Sequence, residues 1–240
     1  MKIIDRKTGK RIDEDTKSNL KEVSKNDPVK RNVEKGLEGE ELSPMDPPEA
    51  YEKLTQDEIK YADMHKSIQM LMDEHVKGRE QIDAFEKAML KLKDGGYVMT
   101  DEINEAFGTF FHFFDHKILA HNRKEEKYLF QLIDDRLRET GEHSTEKNPK
   151  TAIDLMEDDH VKFIQLASLT FNLFGLAIRL PDQHSRALTF DLAYNNGVEL
   201  IEMLKLHIYR EDNTLFPLAH KLISKEEFDQ IEQKFIEFNG

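Results

Sequence analysis

Two short patterns in this chain carry residue types that do metal chemistry, and each occurs twice. Asp73-Glu74-His75-Val76-Lys77 returns as Asp158-Asp159-His160-Val161-Lys162. The run from His121 to Leu132 returns from His207 to Leu218. Each copy of that run opens with His-x-x-x-Glu, as His121/Glu125 and His207/Glu211, and continues with Leu-Phe. His75 precedes His121 by 46 residues and His160 precedes His207 by 47. Self-similarity of this kind describes two helical hairpins of one design, and the histidines and glutamates are among the positions retained. Four residues of α-helix turn about 400°, which leaves the two side chains of a His-x-x-x-Glu pair ~40° apart and ~6 Å along the axis. Both then point at one spot.

A single histidine on an apolar helix face is ordinarily a satisfied core residue. Four such histidines with two glutamates on the same faces are different, because buried carboxylates without partners are costly and these stripes carry no lysine or arginine. A dinuclear cation centre held by His75, His121, Glu125, His160, His207 and Glu211 satisfies all six groups at once. Mixed imidazole and carboxylate ligation suits iron, manganese or zinc. Glu125 and Glu211, contributed quasi-symmetrically, are placed to bridge two ions ~3.5–4 Å apart, with two histidines for each ion. Asp73, Glu74, Asp158 and Asp159 are candidates to accept hydrogen bonds from the imidazole rings, or else form solvated acidic turns. The chain has no cysteine, which excludes disulfides, thiolate-bound iron–sulfur clusters and cysteine nucleophiles and leaves nitrogen and oxygen as the metal donors.

The elements that must position these residues are helices. Thr55 with Glu58 reads as a capping box for a first helix running to about Lys93, with Ile68, Leu71, Met72, His75, Ile82, Phe85 and Met89 at three- and four-residue spacings and Gly95-Gly96 at its end. Thr100 caps a second helix with Phe107, Phe111, Phe114, Ile118, His121, Glu125, Leu129 and Leu132 inward, followed by a loop from Gly141 to Pro149. A third runs from about Lys150 to Arg179 with Ile153, Met156, His160, Phe163, Ala167, Phe171 and Phe174 inward. The fourth covers roughly residues 182–213 with Leu200, Leu204, His207, Glu211 and Leu215 inward, and Pro217 is expected to end or kink it. Ser224 and Glu227 predict a short terminal helix. The fold class is all-α, an up-down-up-down four-helix bundle over residues 51–240.

Residues 1–50 differ from the rest. They hold 23 charged residues, four of the seven prolines and no aromatic residue, so they cannot bury enough apolar surface to offset the entropy of ordering. They are expected to be a disordered or loosely draped extension. Net charge is −13, against nucleic-acid binding. The uncharged run Phe163–Ile178 falls short of the ~20 residues a bilayer needs, and Met1–Lys10 lacks the apolar core of a signal peptide. The expectation is a cytoplasmic protein with no membrane span. The hydrophobic third helix and acidic surface would suit a homodimer.

One His, then His-x-x-x-Glu with Leu-Phe following, twice over, resembles the hemerythrin-like, or HHE cation-binding, family across roughly residues 55–222. The resemblance implies a non-haem di-iron centre on His75, His121, Glu125, His160, His207 and Glu211. It also implies binding of O2 or a related small ligand, nitric oxide or peroxide, in a sensing, storage or protective role. The alternatives are a di-iron redox enzyme (oxidase, peroxidase or nitric oxide reductase) and a bundle whose metal, zinc for instance, is purely structural. Oxygen-carrying members have a fifth histidine in a His-x-x-x-His pair on the third helix. Here Ile164 follows His160 at that spacing, which leaves more coordination positions open. The cysteine-bearing N-terminal segment of the iron–sulfur repair branch is also missing. Of the other histidines, His112 and His116 lie ~140–180° from His121, and His65 lies off the His75 stripe and is expected mainly at the surface. His143 and His184 fall in loops and His220 follows Pro217. Tyr97, Tyr128 and Tyr209 are candidates for a further oxygen ligand, or packing residues.

Overall fold

A computed structural model describes residues 59–145 and 147–239, and helices dominate it. Helix α1 is Lys66–Asp94. Helix α2 spans residues 101–140 without a break in direction, but two of its segments, Phe114–Ile118 and Glu125–Phe130, are π-helical. Helix α3 is Ala152–Arg179. Helix α4 spans residues 183–222 with a π-helical segment at Glu211–Leu215. Helix α5 is Lys225–Asn239. The extension read at residues 1–50, and the capping box at Thr55 and Glu58, lie outside the described residues.

Helix α1 begins later than the sequence pattern suggests. Ile59–His65 is non-α-helical, with one 3-10 turn at Tyr61–Asp63. The cap of α1 is His65, whose Nδ1 accepts from the Ser67 backbone N–H. The caps expected at Thr100 and Ser224 form, and Thr151 and Asp182 cap the other two helices. The Thr100 hydroxyl accepts from Ile103 N–H, Thr151 and Asp154 form a reciprocal capping box, Asp182 accepts from Ser185 N–H, and Ser224 and Glu227 exchange bonds at the head of α5. Helix α2 stops at Gly141, whose φ of 81° is left-handed. The Glu142 N–H then reaches back to the Leu137 carbonyl, the glycine-terminated closure that satisfies the last carbonyls.

Helix α1 packs on α2 and α4, α3 on α4, and α5 lies against α1 and the lower part of α2. Two apolar clusters result. One is built on Ile82, Phe85, Phe110, Phe163, Phe174 and Leu204, with Phe85 stacked on Phe110 at 4.1 Å between ring centroids. The other is built on Leu71, Phe130, Met156, Phe216, Phe228 and Phe235, so the terminal helix closes that end of the bundle.

One inward position is corrected, and one of two alternatives at Pro217 is removed. Phe171 is 58% exposed, and Thr170 takes its place on the buried line of α3. Steps of four from Phe163 through Ala167 drift off the 3.6-residue period, so by Phe171 the face has turned outward, and its ring meets Phe111 edge-on at 5.1 Å. Pro217 does not end α4, which continues to Leu222. The π turn at Glu211–Leu215 interrupts the regular ladder just before it, where the missing proline N–H costs least.

Candidate metal centre

Each helix of the bundle hands one histidine to a single layer between the two apolar clusters. His75 lies between Leu71 and Ile82, His121 between Phe114 and Leu129, His160 between Met156 and Phe163, and His207 between Leu204 and Leu215. All four are buried, and Glu125 and Glu211 have no exposed surface at all. The six residues read from the repeat thus come together. Their donor atoms form two groups of four, each lying within 4.8 Å of one another: His75, His121, Glu125 and Glu211, and Glu125, His160, His207 and Glu211.

Both glutamates belong to both groups, and the distances show how. Glu125 places Oε1 3.1 Å from His121 Nε2 and Oε2 3.7 Å from His160 Nε2. Glu211 places Oε1 3.1 Å from His207 Nε2 and Oε2 3.2 Å from His75 Nε2. Each hairpin therefore supplies the two imidazoles of one group, and each glutamate spans from its own hairpin to the other. Across the layer, His75 Nε2 is 2.9 Å from His121 Nε2, and His160 Nε2 is 3.1 Å from His207 Nε2.

The outward nitrogen of every imidazole faces a carboxylate. His75 Nδ1 is 2.7 Å from Asp212, His121 Nδ1 is 2.8 Å from Glu74, His160 Nδ1 is 2.7 Å from Glu126, and His207 Nδ1 is 3.4 Å from Asp159. An ionised carboxylate only accepts, so Nδ1 carries the proton and Nε2 presents its lone pair inward. Arg79 holds Asp212, Lys124 holds Glu74 and Arg210 holds Asp159. Of the four acidic candidates in the sequence, Glu74 and Asp159 take this role, each for the histidine on the next helix rather than for its own neighbour. Asp73 instead accepts from the Tyr61 hydroxyl, and Asp158 lies 3.9 Å from Lys150 near the surface. Glu126 and Asp212 were missed. They follow Glu125 and Glu211 directly and are acidic in both copies of the repeat, which is the signal that could have found them.

The retained Leu-Phe also finds its reason. Phe130, from the first hairpin, stacks on His160 of the second at 5.6 Å and 18°, and Phe216, from the second, stacks on His75 of the first at 5.6 Å and 9°. Glutamate, following acid and phenylalanine all cross between hairpins, so neither hairpin completes a site alone.

The donor set fits a cation. None of the four glutamate oxygens receives a hydrogen bond, although all are buried, and imidazole lone pairs converge on the same space. Protons are the substitute when no cation is present. Burial lowers the proton affinity of His121, but Glu125 and Glu74 outweigh it and raise its pKa to about 10. His207 is likewise raised to about 9, with burial opposed by Glu211 and Asp159. Burial pushes Glu74 up, yet His121 and Lys124 bring it down to about 2.

Residues 66–219 match the family of the hemerythrin HHE cation binding domain. The chain belongs to this family. No curated protein and no solved structure matches it. As an HHE domain it is a cation-binding helical protein with a buried histidine–glutamate cluster.

Helix α3 adds one donor only. Four residues before His160 stands Met156, buried in the apolar cluster, and four after stands Ile164, 45% exposed. The remaining histidines are elsewhere. His112 and His116 are exposed, with His116 Nδ1 on the His112 carbonyl. His65 is more buried than expected, because it stacks on Phe228 of α5 at 5.0 Å and reaches Asp229 at 3.0 Å. The Tyr97 hydroxyl donates to Asp191 and its ring stacks on Phe190, and Tyr128 packs edge-on against Phe235. A cavity of about 360 Å³ reaches the layer between α1 and α2, lined at its inner end by His75, His121, His207 and Glu211.

Proposed function

We propose that the chain holds two iron ions on His75, His121, Glu125, His160, His207 and Glu211 and binds O2 or a related small ligand, nitric oxide or peroxide, in a sensing, storage or protective role. The observation that carries this reading is the donor count beside the cavity. Each group offers two imidazoles and two carboxylate oxygens, and imidazole–carboxylate sites with open positions suit non-haem iron. The open side of the His75/His121 group faces the cavity.

Iron in this layer would supply electrons to, and open coordination positions for, a small ligand. The chain's own residues do the rest. Asp212, Glu74, Glu126 and Asp159 fix the imidazoles in the tautomer that presents Nε2. Phe130 and Phe216 hold two of the rings flat against the apolar floor, and the clusters above and below exclude water. Helix α3 is long and apolar enough to cross a membrane by length and composition. Its commitment of His160 and Phe163 to the buried layer supports a core helix instead, and the exposed Val161, Ile164 and Phe171 on its outer side support a homodimer through that face.

The test is metal content per chain by mass spectrometry on protein purified without added metal, then anaerobic titration with O2 and nitric oxide followed by visible absorption. About two irons and a ligand-dependent spectrum are expected. Zinc alone, with no spectral response after reloading with iron, would replace this reading with a structural site. Sustained turnover with a reductant would replace it with a redox enzyme.

A further inference from the structure

We propose that the outer face of α3 is self-complementary and pairs with α3 of a second copy of this chain, antiparallel, about a two-fold axis at Phe171 and Asn172. The inference rests on the homodimer reading above and gives that dimer its geometry. From Phe163 to Ile178 no residue is charged, in a chain where 35% of residues are. Yet Ile164, Leu169, Phe171, Leu176 and Ile178 within that run are each more than 40% exposed. Bulky apolar groups left in solvent, with charge removed from among them, are the composition of an interface core. Phe171 is already held in place, its ring edge-on to Phe111 at 5.1 Å.

At about 100° per residue, Ser168, Asn172 and Gly175 form the middle of this face. Ile164, Phe171 and Ile178 form one edge, and Leu169 and Leu176 the other. A two-fold axis perpendicular to α3 sets each residue against one equally far beyond the axis, and an isologous contact must match itself under that operation. This face does. Phe171 meets Phe171 of the second copy, Ile164 meets Ile178, and Leu169 meets Leu176. Ser168 falls opposite Gly175, where a side-chain carbon would meet nothing within 4 Å, so the middle of the face lets two helices approach closely. Asn172 decides the occupant. One N–H of its amide goes to the Ser168 carbonyl at 2.7 Å. The second N–H and the amide oxygen suit the same group of the second copy, a reciprocal pair that sets register as a buried asparagine does in a coiled coil. A bilayer would leave these polar groups unpaired in hydrocarbon. Residues 1–50, with 23 charged residues and no aromatic, do not match an uncharged face. At its margin Lys162 is already engaged by Glu199 at 2.9 Å.

The experiment uses the full chain, whose lack of cysteine makes any introduced thiol a unique probe. Light scattering should give twice the 28.1 kDa of one chain. Phe171→Glu, at an exposed position, should weaken dimerisation by roughly 30-fold or more with circular dichroism and metal content unchanged. Under mild oxidation Asn172→Cys, at the axis, should cross-link to itself. Val161→Cys should not, because antiparallel pairing separates its two copies by about 30 Å, far beyond disulfide reach. A mixture of Ile164→Cys and Ile178→Cys proteins should join as a heterodimer. A monomeric parent at tens of micromolar would overturn the homodimer reading and this inference together. A dimer that Phe171→Glu leaves intact, or one in which Val161→Cys joins itself as readily as Asn172→Cys, would overturn this inference alone.

Discussion

Removing the metal should make the stability of this bundle fall with rising pH, in a window fixed by two histidines. With the cation stripped by chelator, His121 and His207 take up protons to satisfy Glu125 and Glu211, and their folded pKa values are about 10 and about 9. The unfolded reference is about 6.5. Both are raised, so between these limits the folded chain binds more protons than the unfolded one, and stability declines as pH increases. The contribution is complete below about pH 6.5 and is lost as pH climbs through about 9 and then about 10. At ~1.4 kcal/mol per pKa unit the loss amounts to several kcal/mol, and at ~2–4 °C per kcal/mol for a domain of this size the melting temperature should drop by ~10 °C or more. A bound cation needs those nitrogens deprotonated, so the loaded protein should hold its melting temperature over the same range and bind metal more tightly as pH rises. Thermal unfolding followed by circular dichroism, stripped against loaded, from pH 6 to 10, reads both curves. A flat or rising curve for the stripped protein would refute the reasoning. So would a Glu125→Gln/Glu211→Gln variant that kept the slope.

His121→Ala and Glu211→Ala should each lose most bound metal, whereas His112→Ala, at an exposed position, should retain it; equal loss in all three, by mass spectrometry, would sink the ligand assignment. Glu74→Gln should weaken metal binding about 10- to 100-fold in a competition titration, because His121 loses the carboxylate that orients it. Asp73→Asn, one residue earlier and bonded to Tyr61, should change it little, and the reverse order would mean that the outer carboxylates do not orient the rings.

The repeat brought the buried histidine–glutamate cluster into view because its six polar residues stand at matching positions in both copies. His75, His121, His160, His207 and both glutamates were legible from type and spacing alone. The helix caps at Thr100 and Ser224 were legible for a similar reason, since few side chains can accept an orphan N–H. What stayed hidden depended on neighbours distant in sequence. Glu126 and Asp212 are acidic in both copies of the repeat, but which imidazole each one meets depends on the other hairpin. His65 looks like a surface histidine until α5 brings Phe228 and Asp229 against it. Phe171 followed the apolar spacing, but a strict count of four outruns the helix period.

That same count of four, which misleads on α3, is correct on α2 and α4, and the π turns are the reason. His121, Glu125, Leu129, Ile133 and Leu137 are all buried on α2, as are His207, Glu211, Leu215 and Ala219 on α4. The five positions on α2, at steps of four, span seventeen residues, and an α-helix of 3.6 residues per turn would rotate the last of them well off the face. A π turn, bonded from residue i to i+5, takes up one extra residue. Such a turn begins at Glu125 and again at Glu211, so the histidine and glutamate of each pair and the apolar residues below share one face. Deleting Asn213, which is exposed within the second π segment, should let that turn close as α and rotate everything below it by about 100°. Phe216 would then leave His75, and Leu215 and Ala219 would leave the lower cluster. Loss of several kcal/mol in urea unfolding and loss of bound metal are expected for the deletion, whereas Asn213→Ala should stay within about 0.5 kcal/mol of the parent. A deletion protein as stable and as metal-loaded as Asn213→Ala would mean that the register of this layer is set by something other than the π turns.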